Sequence, residues 1–193
     1  NMYTHYPFWF TLFTNLGYRV EVSPPTNRAL FAAGLTSVPS QSVCYPAKLA
    51  HGHVLALLDR GIKHIFFPCI PREAQEFPEL CDTFSCPVAC GYPQVVRENL
   101  PELAQAGAVL HAPFVNLTHT ASLVRNLCRE FGLPRAQVRA AVRLASQEQR
   151  RYWHELRTEA NRIYDDVRRN HGSLVVLAGR PYHVDPQVHH GLP

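Results

Sequence analysis

Lysine is nearly missing from this chain of 193 residues: Lys48 and Lys63 are the two among nineteen basic residues. Arginine carries the rest of the positive charge. Residues 135–169 hold nine arginines against five acidic residues, which accounts for the whole net charge of +4. The remainder of the chain is balanced, so a general nucleic-acid-binding surface is excluded. Also absent are a GxxxxGK[ST] phosphate loop, a GxGxxG turn and a GxSxG elbow. Their absence argues against P-loop ATP hydrolysis and against the usual mode of NAD binding. No apolar run is long enough to cross a membrane; the run Phe8–Phe13 is far too short. No secretory leader is visible, and a cytoplasmic protein is expected. No internal repeat or low-complexity tract is present.

Cysteine is present in an uneven way. Five of the six cysteines fall between Cys44 and Cys90. In a reducing compartment they stay thiols or bind metal. Cys44 precedes a helix start, Val43-Cys44-Tyr45-Pro46. Cys69 closes the apolar stretch His64-Ile65-Phe66-Phe67-Pro68-Cys69. Cys86 stands before Pro87 in a third short apolar piece. Thiols at the ends of neighbouring elements can hold a soft metal or an iron–sulfur cluster.

The order of elements predicts an α/β fold with a parallel sheet flanked by helices. Tyr6 to Leu16 reads as a helix stopped by Gly17, and Tyr18–Val22 alternates as a strand does. Thr26 or Asn27 caps a short helix ending at Gly34. Pro46 opens a helix that runs to Gly61. Residues 62–69 read as a buried strand, residues 71–85 as a loop, and residues 94–105 as a helix interrupted by Pro101. Residues 108–114 are another strand. Residues 118–131 form a helix stopped by Gly132.

A long amphipathic helix follows from Pro134 to Asn170. Val138, Val142, Ala145, Tyr152, Leu156, Ala160, Ile163 and Val167 mark its apolar stripe, which Gln149 breaks. Ser173–Pro181 reads as the first strand and turn of a second α/β unit that the chain does not complete. Three units are expected: a cysteine-bearing α/β domain over 1–117, a helical connector over 118–171, and the start of the second unit over 172–193.

Several constellations carry chemistry. Cys44 at a helix N-terminus, with Lys48 and His51 sharing a face one turn on, can present a thiolate, a cation and an imidazole to one pocket. Cys69 at the carboxyl end of a parallel strand faces the edge where such sheets bind ligands, with Cys86 nearby. The spacing of Cys81, Cys86 and Cys90 is looser than a zinc signature but leaves a zinc site open. His51 and His53 lie two apart on a helix and point to different faces, so they cannot easily share one metal. Cys128 reads as a core residue and His111 as a satisfied interior histidine.

The run Pro39-Ser40-Gln41-Ser42-Val43-Cys44-Tyr45-Pro46-Ala47-Lys48-Leu49-Ala50-His51-Gly52-His53 is distinctive. So are Ile65-Phe66-Phe67-Pro68-Cys69, Cys86-Pro87-Val88, Gly179-Arg180-Pro181-Tyr182-His183-Val184-Asp185-Pro186 and the opening Tyr6-Pro7-Phe8-Trp9. Together they resemble the domain of unknown function of CoA-substrate-specific enzyme activase-related proteins, over nearly the whole chain. The resemblance implies an anaerobic, electron-transfer context and kinship with the 2-hydroxyacyl-CoA dehydratase system. It implies an ATPase activase domain, in the same or a partner chain, and a CoA ester as partners.

It also implies that Cys44, Cys69 and Cys86 match the cysteines that hold an iron–sulfur cluster in related subunits. Around such a cluster, Lys48 and His51 are expected to tune its charge. The expected function is an accessory domain carrying that cluster for electron transfer. The alternative is a metal-free module that binds an acyl-CoA or docks a protein. No complete catalytic constellation is present, so enzymatic activity is left open.

Overall fold

The computed structural model describes residues 2–75, 79 and 83–192. The helices are α1 (Met2–Asn15), α2 (Arg28–Gly34), α3 (Tyr45–Asp59), α4 (Pro87–Asn99), α5 (Glu102–Gln105), α6 (Thr120–Phe131) and α7 (Arg135–Arg169). Two short strands, β1 (His64–Phe66) and β2 (Val109–His111), pair in parallel, with His64 opposite Val109 and Phe66 opposite His111. The ladder continues past both strands. Phe67 N–H donates to the His111 carbonyl, Cys69 N–H to that of Pro113, and Val115 N–H to that of Cys69. Pro68 has no N–H to give, which suits an irregular continuation.

The small sheet lies between two helical layers, because successive strand residues face opposite ways. Ile65 and Leu110 pack with Ala47 and Val54 of α3 and Val96 of α4. Phe66 faces the other layer, where Trp9, Leu12 and Phe13 of α1 meet Leu123 and Leu127 of α6 and Val138 and Val142 of α7. The expected α/β class, with helices on both faces of a parallel sheet and a long following helix, is observed. The helix at 94–105 also breaks near Pro101 as expected, although α4 begins earlier, at Pro87.

Two expected strands are not strands. Tyr18–Val22 is an irregular segment whose alternation has another origin. Val20 packs against the core, while Glu21 pairs with Arg19 and Arg60. Ser173–Pro181 also forms no strand: Val175 and Val176 are 84% and 75% exposed. No described strand lies alongside it to supply the ladder that a strand requires.

Local rules explain the rest. Asn27 caps α2, accepting the Leu30 N–H at 2.9 Å. Gly132 ends α6 in the left-handed region at φ 64°. Gly34 and Gly52 let α2 and α3 cross at backbone contact: a Cβ on Gly34 would lie 2.9 Å from the Cα of Gly52. Only the first half of α7 is covered. Val138, Ala141, Val142 and Ala145 are buried, whereas Leu156, Ile163 and Tyr164 are exposed.

Candidate functional site

α1, the segment 18–26, α3, the sheet edge, the middle of α7 and residues 180–188 enclose one cavity of about 2170 Å³. Aromatic side chains recur around its walls. Trp9, Phe13, Phe66, Tyr92, Tyr152 and Trp153 all line it. The indole N–H of Trp9 is buried without a hydrogen-bond partner among the described residues.

Two thiols open on this cavity, and both occupy the same kind of position. Cys44 caps α3 with Pro46 in the first turn, and Cys86 caps α4 with Pro87 there. At Cys86 the backbone N–H groups of Ala89 and Val88, helped by the Arg180 guanidinium, draw the thiol below its usual value. Cys69 is different: it is fully buried. Burial, and then the neighbouring Cys90, push its thiol up. Among the described residues, no group of three or more His, Cys, Asp or Glu is placed to hold a metal. Cys44, Cys69 and Cys86 therefore make no ready ligand set. Cys81, and with it the zinc spacing Cys81-Cys86-Cys90, lies outside the described residues.

Lys48 and His51 are placed otherwise than a cavity-facing pair. The Lys48 ammonium donates to the Gln41 carbonyl at 2.7 Å. His51 is wholly buried and bonded through both nitrogens. Ser37 spends its hydroxyl proton on the Gly34 carbonyl. His51 Nδ1–H must then donate to Ser37 Oγ, at 2.8 Å. That leaves His51 Nε2 to accept the Tyr92 hydroxyl proton at 3.1 Å. Burial holds His51 below the usual imidazole value. His51 thus reaches the cavity only through Tyr92, whose phenol is raised by burial and by nearby Cys44.

His53 points the other way, into a second polar network. Thr26 Oγ1 donates to buried Asp185 over a short hydrogen bond. His53 Nε2–H then donates to Thr26 at 3.1 Å, and His53 Nδ1 accepts from Ser23 at 2.8 Å. Tyr3 donates to Asp185 at 2.6 Å, and the Gln187 N–H does so at 2.8 Å. Burial opposes ionisation of Asp185, but the hydrogen bonds from Thr26, Tyr3 and Gln187 outweigh it and keep the carboxyl below its usual value. Burial and the Asp185 carboxylate push the Tyr3 phenol up to about 12. A third network lies at the sheet edge. His111 Nδ1 donates to Glu130 at 2.7 Å and its Nε2 faces His64 Nδ1 at 3.1 Å.

Tyr92, Tyr3, Thr26 and Asp185 carry no local sequence signal of a site role. Asp185 stands inside the distinctive Gly179–Pro186 run, but nothing local ties it to Tyr3, 182 positions away. Tyr92 follows Cys86 on α4, and only the crossing of α3 against α4 brings it to His51.

No described helix is long and apolar enough to cross a membrane. Neither a curated protein nor a solved structure matches the chain. A family model matches it from residue 1 to residue 193, and the chain belongs to that family, the CoA enzyme activase uncharacterised domain (DUF2229).

Proposed function

We propose that this domain is an accessory, non-catalytic module of a CoA-substrate activase and dehydratase-like system, and that its cavity receives the acyl-pantetheine end of a CoA ester. The observation that carries this reading is the aromatic cavity of about 2170 Å³ with Arg157 and Arg180 on its wall. Ordinary small-molecule sites occupy roughly 300–1,000 Å³, so a long ligand fits. Apolar walls suit the acyl and pantetheine portions, and guanidinium groups suit the phosphates. An ATPase activase domain in the same or a partner chain is the expected neighbour.

Both tryptophans of the chain, Trp9 and Trp153, line the cavity. Titrating acyl-CoA should therefore quench intrinsic fluorescence saturably, with matching heat in calorimetry. Arg157→Ala and Arg180→Ala should weaken binding of the ester and leave that of a phosphate-free acyl-pantetheine unchanged. No heat and no quenching with several CoA esters would overturn the reading.

A narrower observation favours an iron–sulfur role: Cys44 and Cys86 cap two helices and open on one cavity. Cys69 is turned into the core, so ligands beyond these two are needed. Anaerobic reconstitution followed by visible absorbance and acid-labile sulfide tests it. A Cys44→Ser protein that takes up as much iron as wild type would sink it.

A further inference from the structure

Residues 180–188 form one wall of the cavity, and they are held in an unusual way. Among the described residues, no backbone hydrogen bond reaches residues 173–179, which connect them to α7. The segment itself is a 3-10 turn, Pro181–Val184, closed by the Arg180 N–H donating to His183 Nδ1 at 2.7 Å. Its apolar side chains anchor it weakly: Tyr182 and Val184 are exposed. Its deepest attachment is Asp185, which is 4% exposed and bonded to Tyr3 on α1 and Thr26 before α2. A loose connector, a pre-shaped turn and one buried polar anchor are the parts of a latch.

We propose that residues 180–188 are a strap that opens and closes the cavity, hinged at 173–179 and latched where Asp185 meets Tyr3 and Thr26. The latch is made by the segment's own attachment, whatever the cavity binds. Closing the strap does two things together. It completes the wall between α1 and the Cys86 end of α4, and it brings Arg180 beside Cys86. That guanidinium helps to draw the Cys86 thiol down, so the thiol senses whether the strap is shut. Segments that open locally are those with few buried apolar contacts and few protected backbone hydrogen bonds. Among the described residues, the strap's backbone hydrogen bonds all run within residues 180–192 and none ties it to the rest of the fold. Tyr182 and Val184 are exposed, whereas the core face of α7 is buried.

Hydrogen–deuterium exchange by mass spectrometry on the 193-residue chain tests this directly. In Asp185→Asn, amides of residues 181–192 should exchange about tenfold faster, since hydrogen bonds to a charged group are lost. Amides of α6 and the first half of α7 should hold their rates. Tyr3→Phe should move the strap in the same direction by a smaller factor, and it decides the matter if Asp185→Asn does not fold. Anilinonaphthalene sulfonate, an anionic dye that brightens in apolar surroundings, should enter the cavity faster in both variants. Strap exchange within about twofold of wild type in the variants, or a rise shared equally by strap and core helices, would overturn the proposal.

Discussion

Gly34 and Gly52 meet backbone to backbone where α2 crosses α3, and a Cβ on Gly52 would collide with the Leu30 carbonyl. The close approach gives the His51-Gly52-His53 run its logic. The glycine lets α2 in, and the two histidines are sent to opposite networks. Gly52→Ala should cost about 1–3 kcal/mol or more, because the clash is with backbone that cannot rotate away. Gly91→Ala is the control: it lies in α4 with nothing within 4 Å of an added Cβ. It should stabilise by about 0.5–1 kcal/mol through helix propensity. Urea midpoints of the two variants should move in opposite directions, and equal shifts would refute the crossing.

His51 and His53 predict an acid-sensitive fold. Burial lowers both imidazoles, at His53 against the pull of Asp185. The unfolded chain binds a proton on each near pH 6.5 that the folded chain resists, so falling pH favours unfolding. Their contribution is complete above that value and is lost as pH drops towards the folded-state values. The urea midpoint should fall between about pH 7 and pH 5, and His51→Gln should flatten part of that slope. Tyr92→Phe leaves His51 Nε2 buried without its donor and should cost about 1–3 kcal/mol. A midpoint that stays level over that range would rule out buried neutral histidines.

How far the sequence could be read depended on distance along the chain. The Asn27 cap, the Pro46 helix start, the Pro101 break and the length of α7 depend on neighbours within a few positions, and all were legible. Tyr18–Val22 misled because one inward valine beside a paired glutamate imitates strand alternation. The helix that carries His51 is legible from Pro46, but its burial behind Tyr92 is a product of packing between α3 and α4. The thiols follow the same division. That Cys44 and Cys86 stand at helix starts was visible in the prolines beside them. That Cys69 is sealed in the core depends on residues from both sides of the sheet.

Cys86 should be the readily alkylated thiol of the pair it forms with Cys69. Helix amides and Arg180 favour its thiolate, while burial disfavours that of Cys69. Iodoacetamide with peptide mapping should label Cys86 early and leave Cys69 unmodified until the chain unfolds. Arg180→Ala should slow Cys86 labelling without exposing Cys69. Equal rates at the two cysteines would mean that the helix start and the guanidinium do not activate Cys86.

The apolar stripe of α7 runs the length of the helix, yet packing uses only its first half. Val142 is held between α1 and α6, whereas Leu156 is 44% exposed. Val142→Ala should therefore cost about 1–3 kcal/mol, for lost burial and the cavity left behind. Leu156→Ala should stay within about 0.5 kcal/mol in this chain. Helix propensity cannot produce the contrast, since alanine surpasses valine by more than it surpasses leucine and so favours the Val142 variant. Thermal unfolding measures both. A Leu156→Ala cost as large as that of Val142→Ala would show that the far half of α7 is covered in solution.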